Sequence, residues 1–98
     1  MPQKLSETEI RAALAGMPEW SMVEGKLHRE YLFADFVHAF GFMATCATAI
    51  EAMNHHPEWS NVWNRVTVNL TTHDAGGITD LDLRLAELLE KVAKKLQS

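Results

Sequence analysis

The chain has 98 residues, 47% of them hydrophobic, which suits one domain built around one modest core. Nine Lys and Arg against 13 Asp and Glu leave a formal charge of −4, with no basic run of the kind a nucleic-acid footprint needs. The weakly polar stretch Ala39 to Ile50 is too short to span a bilayer, the N-terminal MPQKLSETE has no apolar signal core, and the single cysteine, Cys46, has no internal disulfide partner. A cytoplasmic domain with neither nucleic acid nor membrane as partner is expected. Cys46 reads as a small core residue.

Ser6 and Glu9 have capping-box spacing, and Ile10, Leu14 and Met17 follow at helical intervals until Gly16 and Pro18 stop the helix. Trp20 to Val23, a Glu24-Gly25 turn and Lys26 to Phe33 predict a hairpin anchored by Trp20. A long helix runs from Asp35 to Met53 or Asn54, with Phe36, Phe40, Met43, Ala47 and Ile50 as its expected buried stripe. Phe42 lies off that stripe, which hints at a cover, such as a second subunit. Pro57 disfavours helical angles at His56, so the chain turns extended there. Trp59 to Trp63 and Val66 to Thr72 predict a second hairpin around Asn64-Arg65. In its second strand Val66, Val68 and Leu70 alternate with Thr67, Asn69, Thr71 and, at the end, His73. After Asp74-Ala75-Gly76-Gly77 a last helix is expected, with Leu81, Leu85, Leu88, Val92 and Leu96 toward the core. The order helix, hairpin, helix, hairpin, helix predicts a single α+β domain: a four-stranded antiparallel sheet with three helices on one face.

Three of the five histidines, His55, His56 and His73, fall between Glu51 and Asp82. Histidine titrates nearest neutrality, so such a cluster suits moving protons or holding a metal. Glu51 and His55 are one helical turn apart and are expected to pair, fixing the ring's tautomer, while His56 points elsewhere. A cleft between the helix end and the strand end would let one group donate a proton while another accepts one. Plain structural readings stand beside these. A Glu-His pair on a helix is a weak surface contact, His28 and His38 lie outside the constellation, and Thr79-Asp80-Leu81-Asp82 is a capping box. Zinc is disfavoured, because adjacent histidines cannot easily aim at one ion and no HExxH or paired-Cys pattern occurs. Trp59 could form an aromatic wall for a flat ligand.

The pattern Glu51-x3-His55-His56-Pro57-x5-Trp63-x9-His73-x8-Asp82 resembles the signature of the pterin-4a-carbinolamine dehydratases. The likeness continues in Trp59, in Asn69-Leu70-Thr71-Thr72-His73 and in the order of elements over nearly the whole chain. It implies a lyase that removes water from 4a-hydroxytetrahydropterin to give quinonoid dihydropterin in tetrahydrobiopterin recycling. Carried over by position, it implies His55, His56 and His73 as the catalytic histidines, with Glu51, Pro57, Trp59, Thr71, Thr72 and Asp82 binding substrate. His55 and His73 would transfer protons and His56 would orient the pterin. Asn54 and Thr71 depart mildly from animal relatives, which commonly have aspartate and serine there. The resemblance further implies no metal, no bound cofactor and a homodimer or homotetramer. Animal members also act as a dimerisation cofactor for a homeodomain transcription factor, so a protein-binding role is the alternative.

Overall fold

The computed structural model describes residues 2–97. Helix α1 (Glu7–Ala15) is followed by strands β1 (Ser21–Val23) and β2 (Lys26–Leu32), helix α2 (Phe36–Met53), strands β3 (Glu58–Val62) and β4 (Arg65–Leu70), a 3-10 turn (His73–Ala75) and helix α3 (Asp80–Gln97). The sheet is antiparallel in the order β1-β2-β4-β3. The two hairpins thus meet through β2 and β4. Leu27, Tyr31, Val66, Val68 and Leu70 project from those central strands into the core, which the helices cover. This is the expected α+β architecture.

Local signals set most boundaries. The Ser6 side chain accepts from Glu9 N–H at 3.1 Å and the Glu9 carboxylate accepts from Ser6 N–H at 2.9 Å, so both halves of the capping box are present. Asp35 caps α2 by accepting from His38 N–H at 2.9 Å, and its carboxylate also holds the His38 ring. The first hairpin turns at Glu24 and Gly25, both at positive φ. The second turn falls on Trp63-Asn64 instead of Asn64-Arg65, because Arg65 pairs with Val62. Trp63 takes φ 50°, and the Asn61 amide ties the turn by donating to the carbonyls of Trp63 and Arg65.

The buried face of α2 corrects the expected stripe. Ala39, Phe42, Cys46 and Ile50 are buried, whereas Phe36, Phe40 and Ala47 are exposed and Met43 is half-buried. Phe42 is covered by the protein's own sheet, not by a second subunit: its ring lies 5.0 Å from that of Tyr31 and 5.1 Å from that of Phe33. Both candidate stripes have helical spacing, and α2 is apolar on nearly every side, so periodicity could not choose between them. Truncating a buried Phe costs about 3–5 kcal/mol, so burial of the Phe42 ring dominates the choice of face. By length and composition α2 could cross a membrane, unlike the shorter Ala39–Ile50 stretch, but here it packs against α3 and the sheet.

In α3 the burial is centred on Asp82, Leu85, Ala86, Leu89 and Ala93. Leu88, Val92 and Leu96 pack at its shoulder, and Leu81 is only half-buried. Trp20 is buried as expected, and its indole N–H donates to Glu90 at 2.9 Å. The Glu90 carboxylate also accepts from Arg29 at 2.9 Å and from the Tyr31 hydroxyl at 2.7 Å, fastening α3 to β2.

Candidate active site

Two chain reversals build the site. Asn54 ends α2 in the left-handed conformation (φ 52°, ψ 39°), and its N–H donates to the Glu51 carbonyl at 3.0 Å. Pro57 then keeps His56 out of the helical region, so His55 and His56 leave the helix on an extended segment. On the other wall, β4 stops at Leu70, Thr72 bridges to Gly77, and His73 opens the 3-10 turn instead of ending a strand. His55, His56 and His73 line one shallow cleft of about 310 Å³, together with Asn54, Thr71 and Asp74 and the edge of Thr72.

Asp82 is fully buried behind His55. Its Oδ1 accepts from His55 Nε2 at 2.6 Å. Its Oδ2 accepts from the Thr72 hydroxyl at 2.8 Å and from Thr79 N–H at 2.9 Å. Because Thr72 gives its hydroxyl proton to Asp82, the Thr79 hydroxyl donates to Thr72 Oγ1 at 2.8 Å, and Thr79 Oγ1 in turn accepts from Leu81 N–H. Asp82 therefore performs the back half of a capping box and holds an imidazole in the same geometry. No buried side-chain nitrogen or oxygen among the described residues lacks a partner.

The pairing expected between Glu51 and His55 is not formed. Glu51 instead accepts from His56 Nε2 at 2.9 Å. The left-handed residue at Asn54 takes His55 off the helical path, so the one-turn stacking rule no longer applies to it. His55 turns inward, its side chain only 10% exposed, and His56 folds back over the helix end. His73 Nε2 meets Glu58 Oε2 at 3.2 Å, a partner that the sequence reading missed. One signal for it existed: Glu58 pairs with Asn69 and so shares the polar sheet face that leads to His73. The hydrogen bond from Lys26 holds the Glu58 carboxyl below the usual carboxylate range, opposed by desolvation and helped by Lys26's charge and by His73.

The remaining predicted residues lie around the cleft instead of in its lining. Trp59 corrects the aromatic-wall expectation: alternation along β3 puts it opposite Val68 on the helix-facing side, its ring 6.3 Å from that of Phe42. Pro57 is half-buried and shapes the backbone, while Glu51 is exposed and reaches the site only through His56. Each imidazole uses Nε2 on a different carboxylate, which leaves Nδ1 as the nitrogen for a ligand. With the rings engaged by separate partners, no group of three or more His, Cys, Asp or Glu among the described residues is arranged to hold a metal ion.

The sequence profile described as Pterin 4 alpha carbinolamine dehydratase matches residues 3–92. The chain belongs to this family of lyases. A relative from Solibacter usitatus carrying the name of a pterin-4-alpha-carbinolamine dehydratase is 62% identical over 93 residues, covering 95% of this chain and 98% of its own. One from Rhizobium etli with the same name is 44% identical over 95 residues, covering 95% and 94%. A solved structure from Brucella melitensis, described as a transcriptional coactivator/pterin dehydratase, superposes with a TM-score of 0.89 at 42% identity, covering 93% of this chain and 99% of that one.

Proposed function

We propose that the chain dehydrates 4a-hydroxytetrahydropterin to quinonoid dihydropterin by histidine acid–base catalysis, serving tetrahydrobiopterin recycling. The observation that carries this reading is the shared cleft of His55, His56 and His73, each ring backed by a carboxylate on Nε2. A proton delivered to the 4a hydroxyl lets the N5 lone pair expel water as the C4a–O bond breaks, and N5 then gives up its own proton. His55 and His73 come from opposite walls, so one serves as acid and the other as base. His56 orients the pterin, with Thr71 at the cleft wall. Asp82 fixes the His55 tautomer, Thr72 supports Asp82, and Glu51 steadies His56. The reaction uses no metal and no bound cofactor, and the enzyme works in the cytoplasm.

The test is turnover of freshly generated carbinolamine against the spontaneous rate. Each proton-transfer group is expected to contribute about 10²–10⁴-fold. His55→Ala and His73→Ala should lower kcat with a modest change in KM, and the double variant should approach the spontaneous rate. His56→Ala should chiefly raise KM. A double variant that dehydrates at near wild-type rate overturns the acid–base assignment.

A protein-binding module of the transcription-factor dimerisation-cofactor type, with or without the enzyme activity, is the second reading, favoured by the outer face of α2. There Phe36, Val37 and Phe40 are 50%, 74% and 56% exposed, an apolar patch unusual on a lone subunit. A homodimer or homotetramer would cover it. Sedimentation should give a multiple of the chain mass that Phe40→Glu reduces.

A further inference from the structure

We propose that Glu58 is a positioning residue for His73 and that Lys26 holds Glu58 in that role. The inference rests on the dehydratase reading for its consequence in catalysis, but the clamp itself is a matter of geometry. Three separate elements contribute: Lys26 opens β2, Glu58 opens β3, and His73 opens the 3-10 turn. The two oxygens of Glu58 divide the work. Oε1 accepts from Lys26 Nζ, and Oε2 faces His73 Nε2 at 3.2 Å.

His73 needs such a hold more than its neighbours. Its side chain is 80% exposed, whereas that of His55 is 10% exposed and wedged against Asp82. A solvated imidazole on a short turn has no packing to select its rotamer, so its one side-chain hydrogen bond sets where Nδ1 points. Lys26 pins the far oxygen and thereby stops the carboxylate from rotating away. The low-lying carboxyl of Glu58 fits this, since an ionised group accepts from both neighbours at once. The arrangement also completes a pattern already present, in which Asp82 takes Nε2 of His55 and Glu51 takes Nε2 of His56. In the reaction, Nδ1 of His73 would take or give the proton while the Nε2–H stays on Glu58, so no net charge moves to the clamp.

Ring motion and kinetics together test this on the intact protein. Carbon relaxation of the His73 ring is measured in wild type, Glu58→Ala, Glu58→Gln and Lys26→Met, each first shown to be folded by circular dichroism. The ring should be ordered in wild type, mobile in Glu58→Ala, largely restored in Glu58→Gln because the amide oxygen still accepts, and intermediate in Lys26→Met. Exposed pairs are weak, so kcat should fall only about 3- to 10-fold in Glu58→Ala, with KM nearly unchanged and partial recovery in Glu58→Gln. A ring equally mobile in wild type and Glu58→Ala overturns the clamp. Ring motion that changes without any change in kcat, in an active wild type, overturns its role in the reaction. An inactive wild type would instead overturn the dehydratase reading, leaving the relaxation data to judge the clamp.

Discussion

Asp82 and Glu90 sit about two turns apart on α3, and each accepts three hydrogen bonds. Their partners differ in kind. Asp82 holds an imidazole, the side-chain type suited to giving and taking protons, whose other nitrogen is left for a ligand in the cleft. Glu90 holds an indole, a guanidinium and a phenol, none of which exchanges a proton near neutrality. Burial pushes the Tyr31 hydroxyl far up, and Glu90 adds to the effect. The hollow beside Glu90, bounded by Met17, Trp20, Glu87 and Lys91, is larger, at about 540 Å³ against about 310 Å³ for the histidine cleft. Neither a well-bonded carboxylate nor a roomy pocket identifies a site. The chemistry of what the carboxylate holds does.

The largest effect should come from breaking the Asp82 network. Asp82→Ala leaves His55, Thr72 and the Thr79 N–H without their buried acceptor, and with about 1–3 kcal/mol for each unmade bond the loss should be about 3–5 kcal/mol by chemical denaturation. Asp82→Asn keeps the shape but not the charge. It should lower kcat per folded molecule by about 10- to 100-fold, because an amide no longer fixes the His55 tautomer reliably. Unchanged kcat with lowered stability would reduce Asp82 to a helix cap.

Glu90→Gln provides the contrast. It should cost about 1–3 kcal/mol of stability, since the shared acceptor loses its charge and with it the ion pair to Arg29, and leave kcat per folded molecule as it was. A rate loss here would erase the distinction between the two carboxylates.

Glu90 also makes stability depend on acid. Burial pushes its carboxyl up, but the bonds from Tyr31 and Arg29, the Arg29 charge and the Trp20 bond outweigh that, so its folded-state pKa lies below the usual carboxylate value. Such a group adds stability above its unfolded pKa and loses that contribution as pH falls through the folded value. Thermal melts from pH 6 down to pH 3 should show acid destabilisation, and Glu90→Gln should have a shallower acid limb than wild type.

The smallest effect concerns Cys46, whose thiol burial pushes up to about 11. At pH 8 it should react with a thiol reagent only as fast as the protein unfolds, and promptly once denatured. Fast native labelling would mean that the Phe42 side of α2 opens far more readily than its packing implies.

The order of elements, the capping box at Ser6 and Glu9, the turn at Gly25 and the stop before Pro57 could all be read along the chain. Each depends on residues within a few positions of one another, whose local geometry the residue types themselves dictate. The spacing of Glu51, His55, His56, His73 and Asp82 likewise pointed to the family and to the cleft's histidines. Partnership was a different matter. That His55 goes to Asp82 and Glu51 to His56 depends on one left-handed residue at Asn54 and on where α3 begins in space. That Glu58 reaches His73 depends on strand register, and that α2 buries Phe42 and leaves Phe40 outside depends on the rings of Tyr31 and Phe33 that meet it. A helix apolar on most sides has no preferred face until a sheet gives it one, and a carboxylate has no preferred imidazole until folding brings one within about 3 Å.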